Sequence, residues 1–185
     1  MSWIMWLELL FIIVGLSIFA IPGFSFAPWV PTRKKDLARI LRLADLKEGE
    51  IFYELGCGNG RVSCFVADRS AARVIGIELS SILYVICRVR NWFHQNHRLS
   101  FYCKSLFEEN LSHADVIYFF GMPDKIASRL KAKFEKELKP GARVISYVFP
   151  IEGWTSITVD RPTKNDLQIF MYQIGQAIDK SSILA

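Results

Sequence analysis

Ile51-Phe52-Tyr53-Glu54-Leu55-Gly56-Cys57-Gly58-Asn59-Gly60-Arg61 decides how the rest of the chain is read. An apolar run carries an acid near its end, and three glycines then alternate with other residues. A helical pattern follows, with Val62, Phe65 and Val66 inward. The pattern predicts a buried strand, a tight turn and a helix N-terminus. Alternate glycines let the backbone turn sharply and approach a ligand closely. The helix start presents free N–H groups and the positive end of its dipole. Glu54 sets this loop apart from a phosphate cradle, because a carboxylate repels pyrophosphate and attracts a cation such as an ammonium or sulfonium group.

A second apolar run, Arg73-Val74-Ile75-Gly76-Ile77-Glu78, also ends in an acid. It follows the glycines by roughly the 20 residues at which a nucleotide-binding unit places its ribose-binding carboxylate. Strand, turn, helix, strand and terminal acid make half of a doubly wound sheet with a nucleoside site. The dinucleotide fingerprint G-x-G-x-x-G fails, because Arg61 stands at its last position.

The 185 residues bound the chain to one domain plus an appendage. Hydrophobic residues make up 51% and mean hydropathy is +0.22, an excess that lies at the N-terminus. Trp3 to Ile21 carries a single charge, Glu8, and Pro22-Gly23 ends the run. A helix of that length covers roughly 30 Å of hydrocarbon. Trp3 and Trp6 at one end and Trp29 at the other suit the membrane interfaces, and Arg33, Lys34 and Lys35 follow. The expectation is a single-pass anchor over 1–27, with the domain 28–185 on the cytoplasmic or matrix side. A cleaved signal peptide and a core helix are the alternatives; the first lacks a basic n-region. The net charge of +5 suits an anionic membrane surface. No aromatic-interleaved basic stripe is present, so nucleic acid is not an expected partner. Cys57, Cys64, Cys87 and Cys103 contain no C-x-x-C pair, so neither zinc nor a disulfide framework is expected. His94 and His97 have no evident third ligand, and no metal is expected there either.

After the connector Pro28-Trp29-Val30-Pro31-Thr32, Thr32 is a candidate N-cap for a helix with Leu37, Ile40, Leu41 and Ala44 on one stripe. Alternatively, Pro31 and Thr32 form a lid over the crevice. Ser80 caps a helix running to about Asn96, with Ile82, Leu83, Ile86 and Val89 expected on its buried side. Leu99–Cys103, Asp115–Gly121 and Ala142–Phe149 read as further strands. A helix over about 124–138 buries Ile126, Leu130 and Phe134 and exposes Lys125, Arg129, Lys131, Lys133 and Lys136. Residues 157–159 and 167–174 flank a turn-rich segment and predict an antiparallel hairpin. The tail from Gln176 is expected to be loose.

The pattern E-x-G-x-G-x-G at 54–60 resembles the first motif of class I S-adenosylmethionine-dependent methyltransferases, and Glu78 resembles the acid of their second. The resemblance narrows with Pro28-Trp29-Val30-Pro31-Thr32, Gly76-Ile77-Glu78-Leu79, Phe119-Phe120-Gly121-Met122-Pro123, the stretch from Glu137 to Ile145, and Phe149-Pro150-Ile151-Glu152-Gly153-Trp154. Over residues 28–174 the chain is similar to the small membrane-anchored protein-lysine methyltransferases. Their mitochondrial members methylate the ADP/ATP translocase and the ATP synthase c-subunit. The resemblance implies an α/β, Rossmann-like seven-stranded sheet closed by a C-terminal hairpin, with S-adenosylmethionine as cofactor and a membrane-protein lysine as substrate. It implies cofactor contacts from Glu54 to the methionine amine, from the backbone around Gly56, Cys57, Gly58 and Gly60, from Glu78 and Leu79 at the ribose, and from Ser105 and Leu106 at the adenine. Ser105 stands where the family has Asp, which implies a weaker adenine contact or one from backbone. Phe120, Tyr147 and Trp154 are candidates for the lysine channel. No dedicated catalytic base is identified.

Overall fold

The computed structural model describes residues 3–25, 30–120 and 129–175, with side chains in the first segment described at 3–13 and 15. Seven strands form one sheet: β1 (Ile51–Leu55), β2 (Arg73–Glu78), β3 (Leu99–Cys103), β4 (Val116–Phe119), β5 (Arg143–Tyr147), β6 (Thr158–Asp160) and β7 (Ile169–Gln173). Their order is β3-β2-β1-β4-β5-β7-β6. β1 to β5 are parallel, and β7 runs antiparallel to both β5 and β6. The seven-stranded sheet and the closing hairpin are those the sequence predicts, with the hairpin centred on Val159 opposite Phe170.

β1, β2, β4 and β5 are covered on both faces, which is why they read as largely apolar runs, whereas edge strand β3 buries only Leu99 and Phe101. Alternate residues serve the two sides. Tyr53, Leu55, Ile75, Ile77, Ile117 and Phe119 pack on one face. Phe52, Val74, Val116, Tyr118, Ile145 and Tyr147 pack on the other. At the β3 side, Phe101 lies against bare backbone. A Cβ at Gly76 would stand 2.5 Å from its ring, and one at Gly60 would stand 2.7 Å away. Both glycines are required by that ring as much as by any turn.

The helices are α1 (Trp3–Ser25), α2 (Leu37–Ala44), α3 (Arg61–Ala67), α4 (Ser81–His94) and α5 (Lys131–Glu137). α1 is 23 residues long, and its side chains from Trp3 to Ile13 are exposed. Among the described residues no helix is long and apolar enough to cross a membrane. Pro28, Trp29, the stretch from Gly121 through Lys125 and Ile126, and the tail from Gln176 lie outside the described residues.

Three expectations need correction. Thr32 does not cap a helix: Arg33 precedes a 3-10 turn at Lys34–Asp36, and the Thr32 hydroxyl pairs with the Tyr118 hydroxyl at 2.7 Å. In α4, capped by Ser80 as predicted, Leu83 and Cys87 face the sheet, while Ile86 and Val89 are exposed. Lys133 is not part of a solvated face. Its ammonium is buried and donates to the carbonyls of Phe107 and Glu109 and to Glu137.

A buried polar network ties α2 to the far end of the sheet. The Arg39 guanidinium donates to Asp36 at 2.7 Å, to Asp160 at 3.2 Å, and to the carbonyls of Asp160 and Leu167. Tyr147 donates to the other oxygen of Asp36 at 2.6 Å. Replacing one partner of a buried ion pair leaves the others charged and unmatched, at a cost of about 3–5 kcal/mol. We predict that Arg39→Met destabilises the domain on that scale in urea titrations of the full chain in mild detergent. A loss under about 1 kcal/mol, the value of an exposed pair, contradicts the network.

Candidate active site

The first five strands all end at one edge. From β1 the chain builds outward through β2 and β3, then returns to place β4 and β5 on the other side. Open α/β sheets bind ligands in the crevice at such a reversal. The glycine loop lies there, between β1 and α3. Gly56, Gly58 and Gly60 have φ of +74°, +56° and +69°, a region that disfavours any side chain. The N–H groups of Gly56 and Cys57 both donate to the Ile77 carbonyl at 2.9 Å, lacing the loop to β2. Cys57 turns its thiol into the core, 3.9 Å from that of Cys87, so only its backbone faces the loop's concave side.

Glu78 closes β2 and is 5% exposed. One carboxylate oxygen accepts from the Gly58 N–H at 2.7 Å and the other from the Ser80 N–H at 2.8 Å. Burial pushes its pKa up, and backbone N–H groups of Ser80, Gly58 and Leu79 oppose the rise. Each oxygen has two lone pairs and one of these partners, so acceptor capacity remains for hydroxyl donors. Leu79 is the exposed residue just beyond.

Glu54 is 4% exposed on β1. Its Oε2 accepts from both the backbone N–H and the hydroxyl of Ser63, at 2.7 and 2.5 Å. No hydrogen bond to Oε1 is found among the described residues. Burial pushes the Glu54 pKa up to about 8, and the two bonds from Ser63 oppose the rise. A buried carboxyl with spare acceptor capacity is a receptor for a cation, which stabilises the ionised form.

Thr32, the last residue of the connector, lies beside this region. The Thr32 carbonyl accepts from Arg61 at the start of α3 at 2.9 Å, while its hydroxyl is held by Tyr118 of β4. Thr32 is buried and Pro31 is exposed. Phe120, just past β4, packs edge-on against Tyr147 at 5.1 Å and stacks with Phe149 at 6.1 Å. Between Tyr147 and Phe149, Val148 holds φ +74°, a strained value for a β-branched residue. Trp154 is not gathered with these rings. It packs with Phe134 of α5 and Tyr172, on the other face of the sheet, and its indole donates to Glu135. Ser105 accepts from the Phe107 N–H at 3.3 Å, and the Leu106 side chain belongs to the core. This turn is joined to the end of β2 by the Lys104 N–H, which donates to the Glu78 carbonyl at 3.0 Å.

Ser63, Arg61, Tyr118 and Val148 do not stand out in the sequence. Ser63 has a local signal: a hydroxyl three residues past the last glycine sits on the first turn of the helix, where its N–H is otherwise unpaired.

Residues 54–158 match the family described as the ANTKMT methyltransferase domain. The chain belongs to that family. It is 32% identical to a protein-lysine N-methyltransferase of Saccharolobus islandicus (strain REY15A), over 80% of this chain and 94% of that one. It is 30% identical to the human lysine N-methyltransferase named for the ATP synthase c-subunit, over 69% of this chain, and spans about half of that longer protein, 54%. Among solved structures it is similar to an RNA methyltransferase from Salinibacter ruber in complex with S-adenosyl-L-homocysteine. The TM-score is 0.75 and the identity 28%, over 82% of this chain and 97% of that one. The sheet is therefore the class I methyltransferase fold, and S-adenosylmethionine is the cofactor of the family. The bare glycine backbone, the cation-accepting Glu54 and the hydroxyl-accepting Glu78 fit its amino-acid and nucleoside ends.

Glu54 also makes stability depend on pH. Its folded pKa of about 8 lies above the ordinary value of 4.5, so the folded state binds the extra proton between them. The stabilisation is fully present below 4.5 and is lost as pH rises through about 8. We predict that the cofactor-free protein loses stability across that window, by up to about 1.4 kcal/mol per pH unit for one proton. Glu54→Gln should flatten most of the slope in urea titrations, the raised pKa of Glu78 accounting for the remainder. An unchanged slope in that variant contradicts the assignment.

Proposed function

We propose that this chain is a membrane-anchored enzyme that methylates a lysine side-chain amine of a membrane protein. The observation that carries the lysine reading is the 32% identity across 94% of a relative named protein-lysine N-methyltransferase. The cofactor, when bound, supplies a methyl group on a sulfonium. Glu54 would hold the methionine ammonium, with Ser63 fixing the carboxylate. Glu78 would accept from the ribose hydroxyls. The bare backbone at Gly56, Cys57, Gly58 and Gly60 would admit the methionine end, Leu79 would flank the ribose, and the Ser105–Leu106 turn would border the adenine. Pro31 and Thr32 form the lid.

The incoming amine must be neutral to attack. Phe120 and Tyr147, with Phe149, exclude water beside the crevice, and desolvation together with the positive sulfonium lowers a lysine pKa. Holding the incoming amine in line beside these rings would supply most of the acceleration, and no dedicated base is identified among the described residues. The Tyr147 hydroxyl is committed to Asp36, so its ring is the part available to the channel.

The apolar run from Trp3 to Ile21, uncharged apart from Glu8, supports the anchor. Arg33, Lys34 and Lys35 favour a catalytic domain on the cytoplasmic or matrix side. Tethering raises the effective concentration toward substrates in the same membrane.

An RNA substrate is the second reading, favoured by the similarity to the Salinibacter ruber enzyme. Incubating the full chain with methyl-labelled cofactor, membranes and total RNA separates the two. Label recovered as methyl-lysine after acid hydrolysis of protein bands is the expected result. Label in the RNA or in a lipid extract rejects the lysine reading. For the site itself, Glu78→Ala should weaken cofactor binding at least about tenfold in calorimetry, since hydrogen bonds to charged groups contribute about 1.5–3 kcal/mol. Binding to wild type below pH about 8 should also release a proton, as the ammonium displaces it from Glu54. Equal apparent enthalpies in buffers of different ionisation enthalpy contradict that release.

A further inference from the structure

α4 is apolar on both sides. Its inner face, Leu83 and Cys87, meets the sheet. Its outer face shows Val85 at 56%, Ile86 at 42%, Val89 at 51%, Trp92 at 72% and Phe93 at 74% exposure. At about 100° per residue these five occupy one outward arc of roughly 120°, as wide as the stripe by which a surface helix normally faces a core. Arg88 borders the arc on one side and Arg90 on the other. The helix contains no acid. Of the neighbouring carboxylates, Asp68 pairs with His94 at the C-terminal end of α4 at 2.9 Å, Glu78 is buried on backbone N–H groups, and Glu109 pairs with Lys104.

Beside the arc, between α4 and the free edge of β3, runs a groove of about 360 Å³ lined by Arg88, Asn91, Ser100 and Tyr102, among others. Asn91 donates its amide to the Leu99 carbonyl at 3.1 Å. Its buried Oδ1 has no partner among the described residues.

We propose that this face seats on an anionic phospholipid surface, with α4 lying in the plane of the interface and the groove taking a headgroup. An apolar arc with Trp and Phe, flanked by arginines and free of acids, has the chemistry of an interfacial helix. Arg88 matches the phosphate, and Asn91 Oδ1 accepts from a headgroup hydroxyl such as those of phosphatidylglycerol. The contact is separate from the α1 anchor: it fixes how the catalytic domain is turned against the membrane.

The test uses the full chain reconstituted in phosphatidylcholine vesicles containing phosphatidylglycerol. A photoreactive residue is placed by Trp92→p-benzoylphenylalanine, and a control by Lys164→p-benzoylphenylalanine at the opposite edge of the sheet. Both chains carry the same α1, so failure of the anchor does not mimic failure of the α4 contact. Lipid adducts several-fold more abundant at position 92 than at 164 are the expected result. Omitting phosphatidylglycerol should reduce them, and so should Arg88→Gln or Arg90→Gln, by about fivefold each, the effect of about 1 kcal/mol per basic group at an anionic surface. Cofactor affinity should not change in the Arg88→Gln variant. Equal adduct yields at the two positions, insensitivity to lipid charge, adducts to a second chain, or adducts mapping to α1 each overturn the proposal.

Discussion

Two buried carboxylates, each closing a strand and gripping backbone N–H groups of the segment that follows, hold the crevice in shape. Glu78 takes the N–H of Gly58 in one direction and of Ser80 in the other, so a single side chain fixes the glycine loop and the start of α4 together. Glu54 does the same for the first turn of α3 through Ser63. Burying such groups is unfavourable, and their raised pKa values record it. Hydrogen bonds to the charged form offset part of that penalty. A bound ammonium and bound hydroxyls would offset more, so occupancy and rigidity of the crevice rise together.

The two ends of the crevice differ in how they are made. The glycine loop and the two acids come from contiguous chain, 54–80. The rings of Phe120, Tyr147 and Phe149 gather from the ends of β4 and β5, with the Tyr147 ring set by Asp36 and Arg39 on other elements. Changes in those rings leave the acids and the glycine loop untouched. That separation accords with one architecture serving relatives that are named for different substrates.

β2 is legible in the sequence with its observed bounds, because burial on both faces makes it a short, unbroken apolar run closed by an acid, and β3, with only Leu99 and Phe101 buried, is legible as a short run between turns. The hairpin is legible from its turn residues. The orientation of α4 is not, because a helix apolar on two faces does not say which one meets the sheet, and the inner face is decided by Leu83 and Cys87. Thr32 misleads for a related reason. A hydroxyl before a helical stripe reads as a cap, but its partner, Tyr118, is 86 residues away. The Arg39–Asp160 pair, 121 residues apart, has no local signature at all. Trp154 adjoins the strand end in sequence, yet the loop carries it round to α5. Local chemistry thus displays the glycine loop and its two acids, while the grouping of the rings at the ends of β4 and β5 depends on long-range packing.

The ring of Phe101 rests on the bare backbone of Gly60 and Gly76 at once. A floor shared in this way couples three distant positions by volume alone. Enlarging either glycine lifts the aromatic plate, and the displacement reaches the opposite glycine and the turn above it. Across descendants of this gene, these positions should therefore drift as a set, a bulkier residue at one being matched by a smaller side chain at 101.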